Sequence, residues 1–249
     1  MVRGALCGEC RAGEGRSIAM ATRRLSTKDR IRDLLPKYDI GNKYSDLMLP
    51  KASVLVPLLI KNEEIYVLLT VRSLKLRSNT GEVCFPGGKQ EPEDVDDVAT
   101  ALREAKEEIG LSPNQVEVLC RLVPVINKDD ILVTPVVGIV AETFEAQLNL
   151  DEVSEVFVVP LQYFLTPEQH TSNSYNSPTG QVGLLHFFTF TDHEFHKPFT
   201  IWGLTAFLSI IVAFLVLGEK PSFKVDFDID NPLSSMDRFL LAKYATSKL

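Results

Sequence analysis

Arg103, Glu104, Lys106, Glu107 and Glu108 fall within six residues, in the run REAKEEIGL that ends at Leu111. At about 100° per residue, a helix here puts Val95, Val98, Leu102, Ala105 and Ile109 on one face and the three glutamates on roughly the opposite one. Glu104 and Glu108 are one turn apart and Glu107 is three residues from Glu104, so the carboxylates are neighbours. Like charges at that spacing cost about 0.2–0.5 kcal/mol per pair when exposed, and more when desolvated. A hard divalent cation with oxygen ligands, Mg²⁺ or Mn²⁺, turns that repulsion into binding. The plain alternative is a solvated acidic face with partners such as Lys106. Against it stands Phe85-Pro86-Gly87-Gly88 just upstream, which reads as a strand end opening into a loop. Paired glycines there let backbone approach an ion or phosphate closely, so loop and helix together would wall a pocket.

The elements that must position this helix alternate with it along the chain. Ala52–Ile60 and Glu64–Val71 are apolar, β-branched runs separated by a short polar turn, and predict a hairpin. After a helix near residues 95–110, Gln115–Ile126 and Ile131–Phe144 predict two more strands around the turn Asn127-Lys128-Asp129-Asp130. Glu155–Leu161 and Gly183–Phe190 add two strand candidates, and the polar stretch from His170 to Gly180 reads as a mobile loop. The expected fold class is α/β (α+β), a mixed β-sheet sandwiched between helices. Ile201–Leu217 runs seventeen residues without a charge, the short limit for a membrane span. Gly203, Thr205 and Ser209 inside it, and flanks without basic clusters, favour a buried core helix.

Composition narrows the partners. The 249 residues carry a formal charge of −7, which argues against nucleic acid and for a small-molecule partner. Four scattered cysteines make no disulfide framework, and the lone Cys7-x-x-Cys10 pair lacks the further ligands zinc needs. Residues 1–36 read as a disordered leader, residues 37–246 as one catalytic domain, and Ser247-Lys248-Leu249 as an address for a peroxisomal import receptor.

Gly88, its loop and REAKEEIGL resemble the signature of the Nudix hydrolases, matched at every fixed position from Arg103 onward. Counting back from Arg103, the signature's first Glu falls on Val95, among Asp94, Asp96 and Asp97, and its Gly falls on Lys89, so the loop runs one residue longer. LLTVRSLKLRSNTGEVCFPGG, Leu68–Gly88, is similar to the extra motif of the coenzyme A branch of that family, in which the longer loop also occurs. Ile201–Leu208 resembles the start of that branch's C-terminal helix.

The resemblance implies a Nudix fold and metal-dependent hydrolysis of the diphosphate of coenzyme A and its acyl thioesters, giving 3′,5′-ADP and (acyl-)4′-phosphopantetheine. Glu104 and Glu108 are then metal ligands, Glu107 a third ligand or the group that orients water, and Arg103 the residue that holds a glutamate in place. Phosphate contacts would come from Arg72, Lys75, Arg77 and Lys89, beside Gly87 and Gly88, because guanidinium and ammonium donors suit phosphate oxygens. Two alternatives remain open at this point: a diphosphatase for NADH or another nucleoside diphosphate derivative, and a nucleotide-binding module without catalysis.

Overall fold

The computed structural model describes residues 25–176, 182–192 and 197–247. Helix α1 spans Thr27–Leu34, and strands β1 (Lys51–Lys61) and β2 (Glu64–Arg72) follow. Two short strands, β3 (Val83–Cys84) and β4 (Gly87–Lys89), lead into helix α2 (Asp97–Ile109). Then come β5 (Val116–Arg121), β6 (Val125–Ile126), β7 (Leu132–Val140) and β8 (Val153–Pro160). A separate antiparallel sheet holds β9 (His170–Asn176), β10 (Val182–Asp192) and β11 (Lys197–Trp202), and helices α3 (Gly203–Leu217) and α4 (Pro232–Thr246) complete the described chain.

The main sheet is mixed. Its path runs β3-β2-β1-β7-β5, with β4 paired to β1, β6 to β7 and β8 to β2. β1 and β7 are parallel, and the other pairs are antiparallel. The β1–β2 hairpin closes on Lys61 opposite Glu64, with Asn62 and Glu63 both at positive φ (52° and 65°), as a two-residue turn between twisted strands requires.

Both faces of the sheet are covered. On one, Ala101, Ala105 and Ile109 of α2 pack with Leu55, Leu68, Val136 and Val140. On the other, Val56, Leu58, Val67, Leu69 and Val137 pack with Ile31 and Leu35 at the α1 end and with Leu208, Ile211 and Val212 of α3. Each fully buried Val, Leu or Ile among these contributes about 1.5–3 kcal/mol of transfer free energy. α3 is a core helix. Its hydroxyls are satisfied internally, Thr205 Oγ1 donating to the Val83 carbonyl (3.0 Å) and Ser209 Oγ to the Thr205 carbonyl (2.8 Å). Among the described residues no helix is long and apolar enough to cross a membrane.

Four expectations need correction. The expected leader of residues 1–36 overlaps a folded element, because α1 lies at Thr27–Leu34. The Thr27 N–H and hydroxyl donate to the Glu63 carboxylate (2.7 Å) and carbonyl (3.0 Å), and Ile31 and Leu35 are buried. The single strand over 115–126 is two, because Pro124 has no N–H to donate to the ladder. The stretch from His170 is strand β9 as far as Asn176; its polar side chains are mostly exposed, but its backbone pairs with β10 from His170↔Phe188 to Asn176↔Val182. Val95 precedes the helix and is 90% exposed, so it is no part of the apolar face. Cys7, Cys10, residues 177–180, Lys248 and Leu249 lie outside the described residues.

Candidate active site

The site forms where α2 crosses the β1–β4 pair. β4 runs against β1 in the register Ser53↔Gly88 and Val54↔Gly87, so the two glycines lie in a strand rather than an open loop. A Cβ on Gly87 would overlap Ser53 O and come within 2.6 Å of Val54 Cα; one on Gly88 would overlap the Glu104 carboxylate. The first glycine lets the strands meet, and the second leaves the space that Glu104 occupies.

Three aspartates at the start of the helix do three different things. Asp96 is the N-cap, accepting the Ala99 N–H at 2.8 Å. Asp97 accepts a long hydrogen bond from Ser53 Oγ (3.5 Å). Asp94, whose side chain is 5% exposed, takes Arg103 through two parallel bonds, Nε to Oδ1 at 3.0 Å and Nη2 to Oδ2 at 2.9 Å. That fork holds the Asp94 carboxyl well down, to about 2. Arg103 also donates to the Lys89 carbonyl and, through Nη1, to Glu104 and Glu107, all at 3.0 Å. One guanidinium therefore ties strand, loop and helix together.

The three glutamates do not share one exposed face. Glu108 is 5% exposed and accepts the Gly87 N–H at 3.1 Å. Burial pushes its carboxyl up to about 8; the Gly87 N–H and the Arg72 cation oppose the rise, while the Glu104 and Glu152 charges add to it. Glu104 is half-buried and also raised, first by burial and then by Glu107 and Glu152, against the pull of Arg103. Glu107 points outward, with its side chain half exposed. Sequence reasoning missed Glu152: it follows Asp151 in the turn before β8, and its carbonyl accepts the Ser73 N–H at 2.8 Å.

The basic candidates separate. Arg72, at the end of β2, has a buried Nε without a hydrogen-bond partner, and its charge reaches Glu108 and Cys84. Lys75 is bound to Asp151 (2.7 Å), while Arg77 and Lys89 are exposed. The partly buried Cys84 thiol, pushed up to about 11 by desolvation, is no nucleophile. A cavity of about 230 Å³ opens at the other end of α2, lined by Tyr44, Lys51, Gln90, Asp97 and Arg121 among others, but none of the three glutamates borders it.

Chemically, the site offers oxygen donors alone. Glu104 sits in the space left by Gly88, Glu108 is a desolvated carboxylate short of compensating charge, and Glu152 adds to both, a set that fits Mg²⁺ or Mn²⁺. Among the described residues no three carboxylate, imidazole or thiol groups are gathered to enclose an ion by themselves. Magnesium sites of that kind are completed by water and substrate phosphate.

Residues 49–178 match the NUDIX domain family. Over 221 residues the chain is 48% identical to the peroxisomal coenzyme A diphosphatase NUDT7 of Mus musculus, covering 89% of this chain and 93% of that protein. It is 38% identical to the mitochondrial Nudix hydrolase 15 of Arabidopsis thaliana, across 73% of this chain and 64% of the other. With the peroxisomal coenzyme A diphosphatase ndx-8 of Caenorhabditis elegans it shares 34% identity, across 66% and 67%.

Proposed function

Because the chain belongs to the Nudix hydrolase family, we propose that its carboxylate site hydrolyses the diphosphate of coenzyme A and its acyl thioesters, giving 3′,5′-ADP and (acyl-)4′-phosphopantetheine. The observation that carries this reading is the match to the mouse coenzyme A diphosphatase over nearly the whole of both chains. Arg72 supports it through its charge: its guanidinium acts on Glu108 and is a cation at the carboxylate site for an anionic phosphate.

In the reaction, the oxygen of a water forms a bond to one phosphorus, and the bridging oxygen leaves with the other phosphate. Two repelling anionic groups must be neutralised while that water is oriented. A divalent cation held by Glu104 and Glu108 would neutralise phosphate charge and acidify bound water. Arg72 adds a second positive charge against the diphosphate. Glu107, fixed by Arg103, and Glu152, on the facing loop, are the two further carboxylates placed to take the water's proton or complete the oxygen set. Arg103 acts as a positioning residue in this reading, since its five N–H donors are all taken up by Asp94, Glu104, Glu107 and the Lys89 carbonyl. Lys75, Arg77 and Lys89 are left as outer phosphate contacts that approach through solvent.

We place the protein in the peroxisome. The names of the mouse and C. elegans relatives support that reading, and Ser247-Lys248-Leu249 is the segment whose removal tests it. The substrate is tested by ranking kcat/KM for coenzyme A, an acyl-coenzyme A, NADH and ADP-ribose. The reading expects the first two to lead, and a lead for NADH or ADP-ribose overturns it.

A further inference from the structure

The turn that carries Glu152 is tied down on two sides. Toward α2, the Gln147 N–H donates to the Ile109 carbonyl and the Asn149 N–H to the Glu108 carbonyl, both at 2.9 Å. These are carbonyls that a helix end leaves without an internal partner, so the turn caps the same residue whose side chain enters the carboxylate site. Toward β2, Ser73 donates its hydroxyl to the Leu150 carbonyl at 3.0 Å and its N–H to the Glu152 carbonyl at 2.8 Å. Within the turn, the Asn149 carbonyl accepts the N–H groups of Glu152 (2.9 Å) and Val153 (2.8 Å), and its side-chain oxygen accepts that of Asp151 (3.2 Å). The exposed Lys75–Asp151 ion pair adds little to this.

Ser73 is 4% exposed, and a buried hydroxyl costs free energy unless it is hydrogen-bonded. The acceptor it finds belongs to the Glu152 turn. β2 and β8 slip register just before it, Val71 facing Glu155 and Arg72 facing Val153, which leaves Ser154 as the extra residue of a bulge. The Glu152 charge bears on both Glu104 and Glu108. We infer that Ser73 is a positioning residue of the site: by holding the Leu150 and Glu152 carbonyls it fixes the turn, and with it the Glu152 carboxylate against Glu104 and Glu108. This rests on the carboxylate site proposed above and is independent of which diphosphate is cleaved there. A third negative charge strengthens the hold on a divalent cation whether it ligates directly or through water. Ser73 therefore acts on the cation through Glu152 alone, which separates it from a serine that merely supports the fold.

The test is a double-mutant cycle read by Mg²⁺ binding without substrate. Calorimetric titration gives the Mg²⁺ dissociation constant for the wild type, Ser73→Ala, Glu152→Gln and the double variant. Each single change raises the constant about five-fold, and the double variant stays within about two-fold of Glu152→Gln. Turnover follows the same cycle, kcat in Ser73→Ala falling about ten-fold while KM stays within about two-fold. Should Ser73→Ala not fold, Asn149→Ala, which removes the acceptor for the Asp151 N–H inside the turn, takes its place in the cycle. An unchanged Mg²⁺ constant in Ser73→Ala, or factors that multiply in the double variant, overturns the positioning role. Failure of the wild type to cleave coenzyme A overturns the substrate reading and leaves the Mg²⁺ cycle to decide the role of Ser73.

Discussion

Arg103 grips Asp94 with two parallel hydrogen bonds, at 3.0 and 2.9 Å, and spends its remaining donors on the Lys89 carbonyl, Glu104 and Glu107. The residue that would otherwise be read as a charge partner on the helix surface is thus the bolt between α2 and the β4 loop. Replacing Arg103 by Lys keeps the charge and loses the fork. We expect Arg103→Lys and Asp94→Asn each to lower stability by about 2–4 kcal/mol, as for breaking a largely buried ion pair. Both should lower kcat more than they raise KM, since Glu104 and Glu107 lose their anchor. Denaturant midpoints with steady-state kinetics measure this, and a normal kcat in Arg103→Lys would contradict the positioning role.

Glu108 separates stability from activity. Its folded-state carboxyl titrates near 8, above the usual carboxylate value near 4.5, so the metal-free folded protein holds a proton there that the unfolded chain releases. Its contribution to stability is therefore full below about 4.5 and declines as pH rises through about 8. Glu108→Gln removes that decline and should equal or exceed the metal-free wild type in Tm at pH 8. Added Mg²⁺ should raise Tm in the wild type by mass action and do so much less in the variant. Turnover in Glu108→Gln should fall at least a hundred-fold, about 2.7 kcal/mol of lost transition-state stabilisation.

Arg72 and Arg77 divide the phosphate contacts unequally. Sequence alone gives the two arginines equal standing, but the structure sets Arg72 beside Glu108 and leaves Arg77 on the exposed stretch between β2 and β3. A charge-assisted bond is worth about 1.5–3 kcal/mol. Arg72→Ala should accordingly lower kcat/KM roughly ten- to a hundred-fold, alike for coenzyme A and for dephospho-coenzyme A, because both have the diphosphate. Arg77→Ala should cost less. If Arg77 reads the 3′-phosphate, its loss appears with coenzyme A and not with the dephospho form.

A pair of histidines, His186 buried and His170 partly buried, should weaken the second sheet in acid. His186, 4% exposed, meets His170 through Nδ1 and Nε2 at 3.0 Å, both rings lie against Phe223, and His186 Nε2 has no partner. Burial lowers both imidazoles, with His186 lowering His170 further and Asp226 partly restoring His186. Lowered folded values mean that the unfolded chain binds protons first, so stability is full above about 6.5 and is lost as pH falls below it. His186→Leu should flatten the fall in denaturant midpoint between pH 7.5 and 5.5. An unchanged slope would remove the pair from the account.

How far the sequence reveals the site depends on whether a residue's role is local. The helix and its acids are legible because their spacing is a property of one element, and so is the β1–β2 hairpin. Glu108 as a buried group is not, since only the packing of α2 on β1 and β4 shows which carboxylate turns inward. Asp94, Asp96 and Asp97 look equivalent in the chain and become distinct only when Arg103, the helix N-terminus and Ser53 each select one. Glu152 carries no local signal: its carbonyl accepts the N–H of Ser73, far away in sequence. Helix α1 and strand β9 were missed for a related reason: one is held by Glu63 across the hairpin turn, and the other by a backbone ladder beneath polar side chains.

The central claim, that Glu104 and Glu108 serve cleavage of a coenzyme A diphosphate, is tested most directly by resolving the products formed from coenzyme A with saturating Mg²⁺, for wild type and for Glu104→Gln. The account predicts 3′,5′-ADP and 4′-phosphopantetheine in equal amounts from the wild type, and a rate at least a hundred-fold lower from a variant that remains folded. Wild-type rates in Glu104→Gln, or intact coenzyme A after prolonged incubation with the wild type, would contradict it.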